Sequence, residues 1–244
     1  MKIVAFNGSP HAEASNTHII VDAFLAGARD GGAETENIFL ANRTIEHCQG
    51  CFSCWWKTPG KCIISDDMDE LLDTYLSADI VIYATPLHMD NVSGIMKDFF
   101  DRLLPTGDPH FERDPNGEVR HVMGKKRDPG FIMIANSGYP EQSHFQVLQL
   151  LTQRMARNFL TECVGEIYRG GGSLLQDDEM KPLIDEYRAL VRKAGFEFVK
   201  DGKISSDTSL LLEQPLIPAP DYVDIFIRNV NAYVDQMIAK NQGA

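Results

Sequence analysis

Five short apolar segments, separated by stretches with helical periodicity, are the feature of this sequence that most restricts its fold. The middle segments are continuous rather than alternating with polar residues, which is typical of strands buried on both faces of a parallel sheet. We predict five strands, at residues 2–6, 38–40, 80–84, 131–135 and 163–168.

Apolar residues three or four positions apart predict a helix after each strand or shortly beyond it. The predicted helices cover residues 19–28, 68–75, 95–103, 145–159 and 183–198. This alternation predicts an α/β fold, a flavodoxin-like doubly wound five-stranded parallel sheet. Ligands of such sheets bind beyond the carboxyl ends of the strands, which directs attention to the loops beginning at Gly8, Ala41, Thr85 and Asn136.

Two parts of the chain exceed this minimal pattern. We predict one flavodoxin-like domain over residues 1–201, with a Cys-rich loop at 46–64 and an insertion at 105–129 that serves as a functional loop, lid or interface arm. Residues 202–244 form a C-terminal extension, in which an extended Pro-rich segment precedes an amphipathic helix. This helix is expected to pack on its own domain or on a second subunit.

Composition excludes several classes of partner. The net charge of −12 argues against a nucleic-acid surface and against an anionic membrane. No apolar run approaches the length of a membrane span, and the N-terminus lacks the pattern of a signal peptide. We therefore expect a cytoplasmic protein, in which clustered cysteines bind metal or undergo redox chemistry more often than they form disulfides.

The loop after the first strand suits a phosphate group. Gly8-Ser9-Pro10 ends the strand, and Ser15-Asn16-Thr17 stands directly before the first helix, with no Lys or Arg between them. Hydroxyls, backbone amides and the partial positive charge of a helix N-terminus can together hold a phosphate. The alternative is an ordinary turn with Asn16 or Thr17 as the helix cap.

Two further loops suit a flat heterocycle. Thr85-Pro86-Leu87-His88-Met89 forms a rigid turn after the third strand, and Ser137-Gly138-Tyr139 follows the fourth. Gly138 lets the backbone approach a ligand, and Tyr139 supplies an aromatic face. Ordinary turn chemistry explains both loops as well.

These loops, with the segment from Ser93 to Arg102, resemble the NAD(P)H-dependent FMN reductase branch of the flavodoxin-like flavoproteins. The likeness covers roughly the first 170 residues and implies non-covalently bound FMN. It assigns the phosphate to Ser9, Ser15, Asn16 and Thr17, with His11 at a position that is often basic. It assigns the isoalloxazine ring and its surroundings to Thr85, Pro86, Leu87, His88, Met89, Asn91, Ser137, Gly138 and Tyr139.

The cysteine spacing C-x2-C-x2-C-x7-C resembles the compact motif of the iron-sulfur flavoproteins, a subgroup of the same family. The resemblance implies one [4Fe-4S] cluster on Cys48, Cys51, Cys54 and Cys62. Free thiols beside the flavin, zinc on the same thiolates, and cysteines incidental to packing are the alternatives. Cys163 falls in a predicted strand and is expected in the core.

The resemblance also implies an activity. FMN would accept electrons from NAD(P)H or from ferredoxin and pass them to a small acceptor such as a quinone, a flavin or an oxygen species. His88, Tyr139 and Trp55 are the candidates for the substrate side. A flavodoxin-like electron carrier and a flavin-free binding module are the alternatives, and the family likeness implies a homodimer or homotetramer.

Overall fold

A computed structural model describes residues 1–124 and 128–242 and confirms the predicted fold. Five parallel strands form one sheet: β1 (Lys2–Asn7), β2 (Glu34–Phe39), β3 (Ile80–Pro86), β6 (Gly130–Asn136) and β7 (Cys163–Arg169). Their order is β2-β1-β3-β6-β7, the strand order of a flavodoxin-like sheet. Asn7 lies opposite Ala84 and Thr85 opposite Ala135, and the pairing of β6 with β7 has a register shift between Phe131 and Ile132.

Helices cover both faces of the sheet, which explains why the central strands are continuously apolar. The helices are α1 (Asn16–Asp30), α2 (Ser53–Trp56), α3 (Met68–Ser77), α4 (Gly94–Asp101), α5 (Gln146–Asn158), α6 (Lys181–Asp201), α7 (Ser206–Leu212) and α8 (Tyr222–Gln242). One core joins Ile3, Ile82 and Ile132 to α1 and α6, and a second joins the alternate residues Val4 and Tyr83 to α3, α4 and α5.

Helices α1 and α6 pack at a distance that only glycine permits. A Cβ atom at Gly27 would lie 1.7 Å from the carbonyl oxygen of Arg192, and one at Gly195 would lie 2.0 Å from that of Phe24. The two backbones therefore touch, which fixes α1, and with it the loop preceding α1, against the rest of the domain.

The structure adds detail where the sequence pattern was weak. Strand β2 begins at Glu34, four residues before the predicted segment. The apolar pattern does not reveal these first residues, because this edge strand alternates exposed and half-buried side chains. The predicted insertion at 105–129 contains an antiparallel hairpin of β4 (Phe111–Arg113) and β5 (Val119–His121). Residues 125–127 of that insertion lie outside the described residues.

The C-terminal extension contains α7, which the sequence analysis did not predict, and the expected amphipathic α8. Several apolar side chains of α8 are exposed, among them Ile227, Tyr233 and Ile238. In the described part of the chain, no helix is both long enough and apolar enough to cross a membrane. The domain boundary at residue 201 stays a prediction.

Candidate functional site

The candidate site lies at the carboxyl edge of the sheet, between β1 and β3. The chain leaves β1 towards β2 on one side and returns to β3 on the other, so the strand order reverses here. The backbone amide of Gly8 donates to the carbonyl of Ala84 (2.8 Å), and the Ser93 hydroxyl donates to the carbonyl of Gly8 (2.6 Å). These bonds hold the first loop against the start of α4, where a Cβ atom at Gly8 would lie 2.7 Å from that of Met96.

The loop after β6 is tied to the same edge. Asn136 donates its side-chain amide to the hydroxyl oxygen of Thr17 (2.7 Å) and accepts a hydrogen bond from the backbone amide of Leu87 (2.7 Å). The three loops predicted from sequence therefore meet at one edge of the sheet, at the switch point where doubly wound sheets form their ligand crevice.

The first loop ends in a capped helix N-terminus. Ser15 accepts a hydrogen bond from the amide of His18 (3.0 Å) and donates its hydroxyl to the carbonyl of Ala12 (2.6 Å). The hydroxyl of Ser15 is thus already used within the loop. By contrast, the amides of Asn16 and Thr17 fall in the first turn of α1, where a helix offers them no internal acceptor.

Two observations in this loop favour a bound ligand. The side-chain oxygen of Asn16 is buried and has no hydrogen-bond partner among the described residues. Ser9 is buried as well, and among the described residues its oxygen accepts one long hydrogen bond, from the amide of His11 (3.4 Å). His11 itself is exposed at the rim. A ligand hydroxyl and phosphate would supply the missing partners of these groups.

The loop after β3 carries a tight turn. His88 and Asn91 exchange both backbone hydrogen bonds (2.9 and 3.0 Å), and the two residues between them, Met89 and Asp90, have φ angles of 48° and 58°. Such a turn normally contains Asn or Gly, because other residues are strained in this region. Met89 is 97% exposed and is therefore available to a ligand or partner.

The remaining predicted ring-side residues lie beside this turn. Thr85 is buried, and its hydroxyl accepts from the amide of Ser93 (2.9 Å) and donates to the carbonyl of Pro86 (2.9 Å). In the loop after β6, buried Ser137 accepts from the amide of Tyr139 (3.0 Å). Tyr139 stacks on the His144 ring at 4.1 Å, and a Cβ atom at Gly138 would meet only open space.

The four predicted cysteine ligands line one small cavity of about 20 Å³, beside the C-terminal end of α4. Cys48 and Cys51 are exposed, Cys54 is buried and Cys62 is half-buried. Hydrogen bonds from the amide and hydroxyl of Ser53 lower the pKa of Cys51, whereas burial raises the pKa of Cys54. These thiols lie apart from the sheet edge, since α4 has eight residues and spans about 12 Å.

The donor chemistry of this cavity fits a thiolate-bound centre, but its geometry is not preformed. Within residues 1–124 and 128–242, no group of three or more His, Cys, Asp or Glu side chains is arranged to hold a metal ion. A cavity of about this size holds roughly one water molecule. A cluster on these thiols would therefore need more room than the cavity has in this arrangement.

A buried ion pair, which the sequence analysis missed, anchors this loop. Arg102 donates to both carboxylate oxygens of Asp66 (2.6 and 2.8 Å) and to the carbonyl of Glu46 (2.7 Å). Asp66 in turn accepts from the amides of Glu46 (2.9 Å) and Met68 (3.1 Å). Burial would raise the pKa of Asp66, but these hydrogen bonds hold it below its usual value. The charge of Arg102 within the predicted helix 95–103 was the sequence signal that could have indicated this pair.

Trp55 lies outside the sheet-edge loops, although it lines one cavity together with Asn91 of the loop after β3. Its indole N–H donates to the carbonyl of Leu104 (3.0 Å), and its ring lies 5.0 Å from that of His121. His88 and Tyr139 do belong to the edge loops, so the three residues predicted for the substrate side divide between two places. Cys163 is half-buried and packs against the second core, as expected.

Comparison with known proteins identifies a matching family and several relatives. Residues 1–126 match the model of the NADPH-dependent FMN reductase family. An iron-sulfur flavoprotein of Archaeoglobus fulgidus is 34% identical over 58% of this chain and 58% of its own length. One of Methanocaldococcus jannaschii is 39% identical over 43% of this chain and 53% of its own. The chain thus spans between half and three fifths of the length of these curated relatives.

Solved structures share the fold. An FMN-dependent NADH-azoreductase of Bacillus anthracis, in complex with FMN, has a TM-score of 0.59 at 18% identity, over 81% of this chain and 99% of its own. An NAD(P)H:quinone oxidoreductase of Methanothermobacter marburgensis has a TM-score of 0.57 at 17% identity, over 81% of this chain and 96% of its own. Because the family model covers just over half of the sequence, the chain belongs to the NADPH-dependent FMN reductase family.

Proposed function

We propose that this protein is an FMN-dependent oxidoreductase that takes electrons from NAD(P)H and passes them to a small acceptor such as a quinone, a flavin or an oxygen species. The observation that carries the proposal is the meeting of these loops at the sheet edge. The first-turn amides of α1, the side-chain oxygen of Asn16, which has no partner among the described residues, and two ring-side loops come together there. The azoreductase and the quinone oxidoreductase that share this fold are named for the same class of reaction, which supports the proposal.

Different residues of the crevice would bind the phosphate, the ribityl chain and the ring of FMN. The amides of Asn16 and Thr17, with the hydroxyl of Ser9, would hold the phosphate, and Ser15 would keep the loop in shape through its cap. The oxygen of Asn16 would accept a hydrogen bond from the ribityl chain. The ring would lie along Thr85, Pro86, Leu87, His88, Met89 and Asn91, with Ser137, Gly138 and Tyr139 on the other side.

FMN, when bound, supplies the redox chemistry, because its ring accepts a hydride and releases electrons singly or in pairs. The chain therefore needs no acid or base of its own. Its part is to fix the ring by hydrogen bonds from the rigid turns and to limit access of solvent. His88 and Tyr139 are exposed beside the crevice, where they would contact the electron donor or acceptor.

The experiment is anaerobic addition of NADH and, separately, NADPH to the yellow protein, with absorbance followed at the flavin band. We expect bleaching by at least one nucleotide and recovery when a quinone is added. If neither nucleotide bleaches the band while dithionite does, the protein is instead a flavodoxin-like carrier that needs a partner such as ferredoxin. A preparation that is colourless and takes up no FMN would leave only a flavin-free binding role.

The FMN site has a direct test in Asn16→Asp. This change preserves the shape of the side chain but places a negative charge beside the proposed phosphate, so we expect FMN affinity to fall at least tenfold. Asn116→Asp is the matched control, because Asn116 is an exposed residue in the turn of the β4–β5 hairpin, outside these loops. Equal FMN affinities for both variants and the unaltered protein would contradict the phosphate assignment.

For the cysteines, we propose a [4Fe-4S] cluster on Cys48, Cys51, Cys54 and Cys62. Support comes from their shared cavity and from the relatives named iron-sulfur flavoproteins. Iron and acid-labile sulfide near four per chain in anaerobically prepared protein would bear this out. Zinc at one per chain or four titratable free thiols would each replace it.

We also propose a cytoplasmic homodimer or homotetramer. The exposed apolar residues of α8 supply a surface that a second copy could cover. Light scattering of the full chain, and of a chain ending before Tyr222, tests this, with the shortened chain expected to have the smaller mass. An unchanged mass would remove α8 from the interface.

A further inference from the structure

Three consecutive glycines at residues 170–172, which we call the triglycine segment, follow β7 at the carboxyl edge of the sheet. The last residue of β7, Arg169, lies opposite Asn136, the last residue of β6. The triglycine segment therefore lies beside residues 137–140, which we call the β6 loop and which carry one set of proposed ring-side residues. Neither stretch belongs to the part of the chain that matches the family model, residues 1–126.

Each glycine of the triglycine segment meets a separate requirement. A Cβ atom at Gly170 would lie 2.4 Å from the carbonyl oxygen of Pro140, and one at Gly172 would lie 2.8 Å from the side-chain oxygen of Asn136. Gly171 has a φ angle of 66°, in the left-handed region that residues with a side chain rarely adopt. A side chain at residue 170 or 172 would therefore displace the β6 loop or the end of β6.

The close packing lets the triglycine segment bind the carbonyls of the β6 loop. The amide of Gly171 donates to the carbonyl of Tyr139 (2.7 Å), and the amide of Gly172 donates to the carbonyl of Ser137 (2.7 Å). In the opposite direction, the amide of Ser137 donates to the carbonyl of Arg169 (3.0 Å). These hydrogen bonds fix the orientation of the peptide groups in the β6 loop.

One amide of the β6 loop remains available to a ligand. The Ser137 amide is bound to Arg169, the Tyr139 amide donates to the Ser137 hydroxyl (3.0 Å), and Pro140 has no amide hydrogen. Within residues 1–124 and 128–242, the amide of Gly138 donates no hydrogen bond, and a Cβ atom at Gly138 would meet only open space. Gly138 therefore offers a backbone donor that no side chain of its own obstructs.

The C-terminal extension supports this arrangement from the other side. Buried Arg169 donates to the carbonyls of Leu212 and Gln214, and the side-chain amide of Gln142 donates to the carbonyl of Glu213 (3.3 Å). Three consecutive carbonyls at the end of α7 are thus bound by two residues, one next to the triglycine segment and one close behind the β6 loop.

We propose that the triglycine segment and Arg169 are positioning residues for the flavin ring, because they hold the β6 loop in the conformation that presents the Gly138 amide to the ring. This role rests on the FMN site proposed above. It gives a function at the flavin site to a part of the chain that lies outside residues 1–126.

Two alanine variants test the support of the β6 loop. Gly170→Ala places a methyl group against the carbonyl of Pro140, and Gly171→Ala strains the backbone of the triglycine segment. Gly202→Ala is the matched control for backbone strain. Gly202 has a φ angle of 74°, follows α6, and has no atom within 4 Å of the position of a Cβ atom.

The first measurement is hydrogen exchange of the FMN-free protein, followed by mass spectrometry of peptides that cover residues 137–141 and 170–174. We expect exchange in both peptides to be about tenfold faster in Gly170→Ala and Gly171→Ala, because their amides lose well-aligned acceptors. Exchange of these peptides in Gly202→Ala should equal that of the unaltered protein.

The second measurement is FMN titration of the same proteins. We expect the affinity to fall about tenfold in Gly170→Ala, the size expected for one lost hydrogen bond, and by a smaller factor in Gly171→Ala. The visible circular dichroism of the bound flavin should change in both variants, which a loss of stability alone would not cause. Gly202→Ala should lower the melting temperature and leave affinity and spectrum unchanged.

Arg169→Lys tests the support from the C-terminal extension. Lysine keeps the positive charge but lacks the planar fork that reaches two carbonyls. We expect faster exchange in peptides that cover residues 137–141 and 212–214, together with weaker FMN binding.

Several results would overturn the proposal. They are unchanged exchange of residues 137–141 in all three variants; faster exchange with FMN affinity equal to that of the unaltered protein; and a loss of affinity in Gly202→Ala as large as that in Gly171→Ala. If Gly170→Ala does not fold, Gly171→Ala and Arg169→Lys decide by the same criteria. Failure of the proposed FMN site is distinguishable, because the unaltered protein would then take up no FMN, and the positioning role would be refuted with it.

Discussion

Replacement of Arg102 by Met is the most demanding test of how the cysteine loop is held. The guanidinium is 1% exposed and the carboxylate of Asp66 is 2% exposed, so the change leaves a buried negative charge without its partner. Breaking a buried pair in this way costs about 3–5 kcal/mol. The bond to the carbonyl of Glu46 is lost at the same time. The Cys-rich loop would then lose its anchor at Glu46 and be destabilised beside Asp66.

The assay is urea unfolding followed by circular dichroism, together with the rate at which the thiols react with a disulfide reagent. We expect the free energy of unfolding to fall by about 3–5 kcal/mol. Cys54, which is buried in the intact loop, should become reactive. Arg43→Met is the matched control. Its partner Glu70 is 67% exposed, so its loss should cost no more than about 1 kcal/mol.

The Asp66–Arg102 pair also makes the free energy of unfolding depend on pH in the acid range. The pKa of Asp66 is held below its usual value in the folded state, so its contribution is complete above about pH 4 and is lost as the pH falls further. Unfolding of the Arg102→Met variant should therefore be less sensitive to acid than that of the unaltered protein. A loss below about 1 kcal/mol at pH 7, or an unchanged acid dependence, would refute the role assigned to the pair.

Three other substitutions have expected outcomes that thermal unfolding and FMN titration can check. Gly27→Ala should lower the melting temperature by many degrees or prevent folding, because its Cβ would lie 1.7 Å from a carbonyl oxygen of α6. Met89→Asn should stabilise the protein by roughly 0.5–1 kcal/mol, since Asn tolerates the positive φ of this turn better. Ser93→Ala removes the cap of α4 and a bond to the first loop, so it should cost about 1–2 kcal/mol and weaken FMN binding.

The sequence was most informative where local chemistry and burial agree. Strands β1, β3 and β6 were predicted because both of their faces are covered, which leaves an uninterrupted apolar segment. Strand β2 lies at the edge of the sheet, and its first residues alternate in exposure, so its beginning was missed. The hairpin of β4 and β5 was missed because its strands have three residues each, although Asn116-Gly117 marks the turn.

The loops of the candidate site could be predicted, but the bonds that join them could not. Turn residues identified each loop and the sheet rule brought the loops to one edge. The bond between Asn136 and Thr17 links residues 119 positions apart, and that between Ser93 and Gly8 links residues 85 apart. A single sequence carries no record of such pairs, because either partner alone is an ordinary turn or cap residue.

Buried arginines show why the remaining irregular segments were beyond prediction. Arg169 is 1% exposed, donates to the carbonyls of Leu212 and Gln214, and lies over the Tyr187 ring at 4.2 Å. It thereby fixes the end of α7, as Arg102 fixes the cysteine loop. In both cases an arginine at the end of a strand or helix donates hydrogen bonds to backbone carbonyls of a distant segment. Those carbonyls lack partners within their own segment. The position of such a segment therefore depends on one distant side chain, so we expect the arrangement of the cysteines to depend on Arg102 more than on their own spacing.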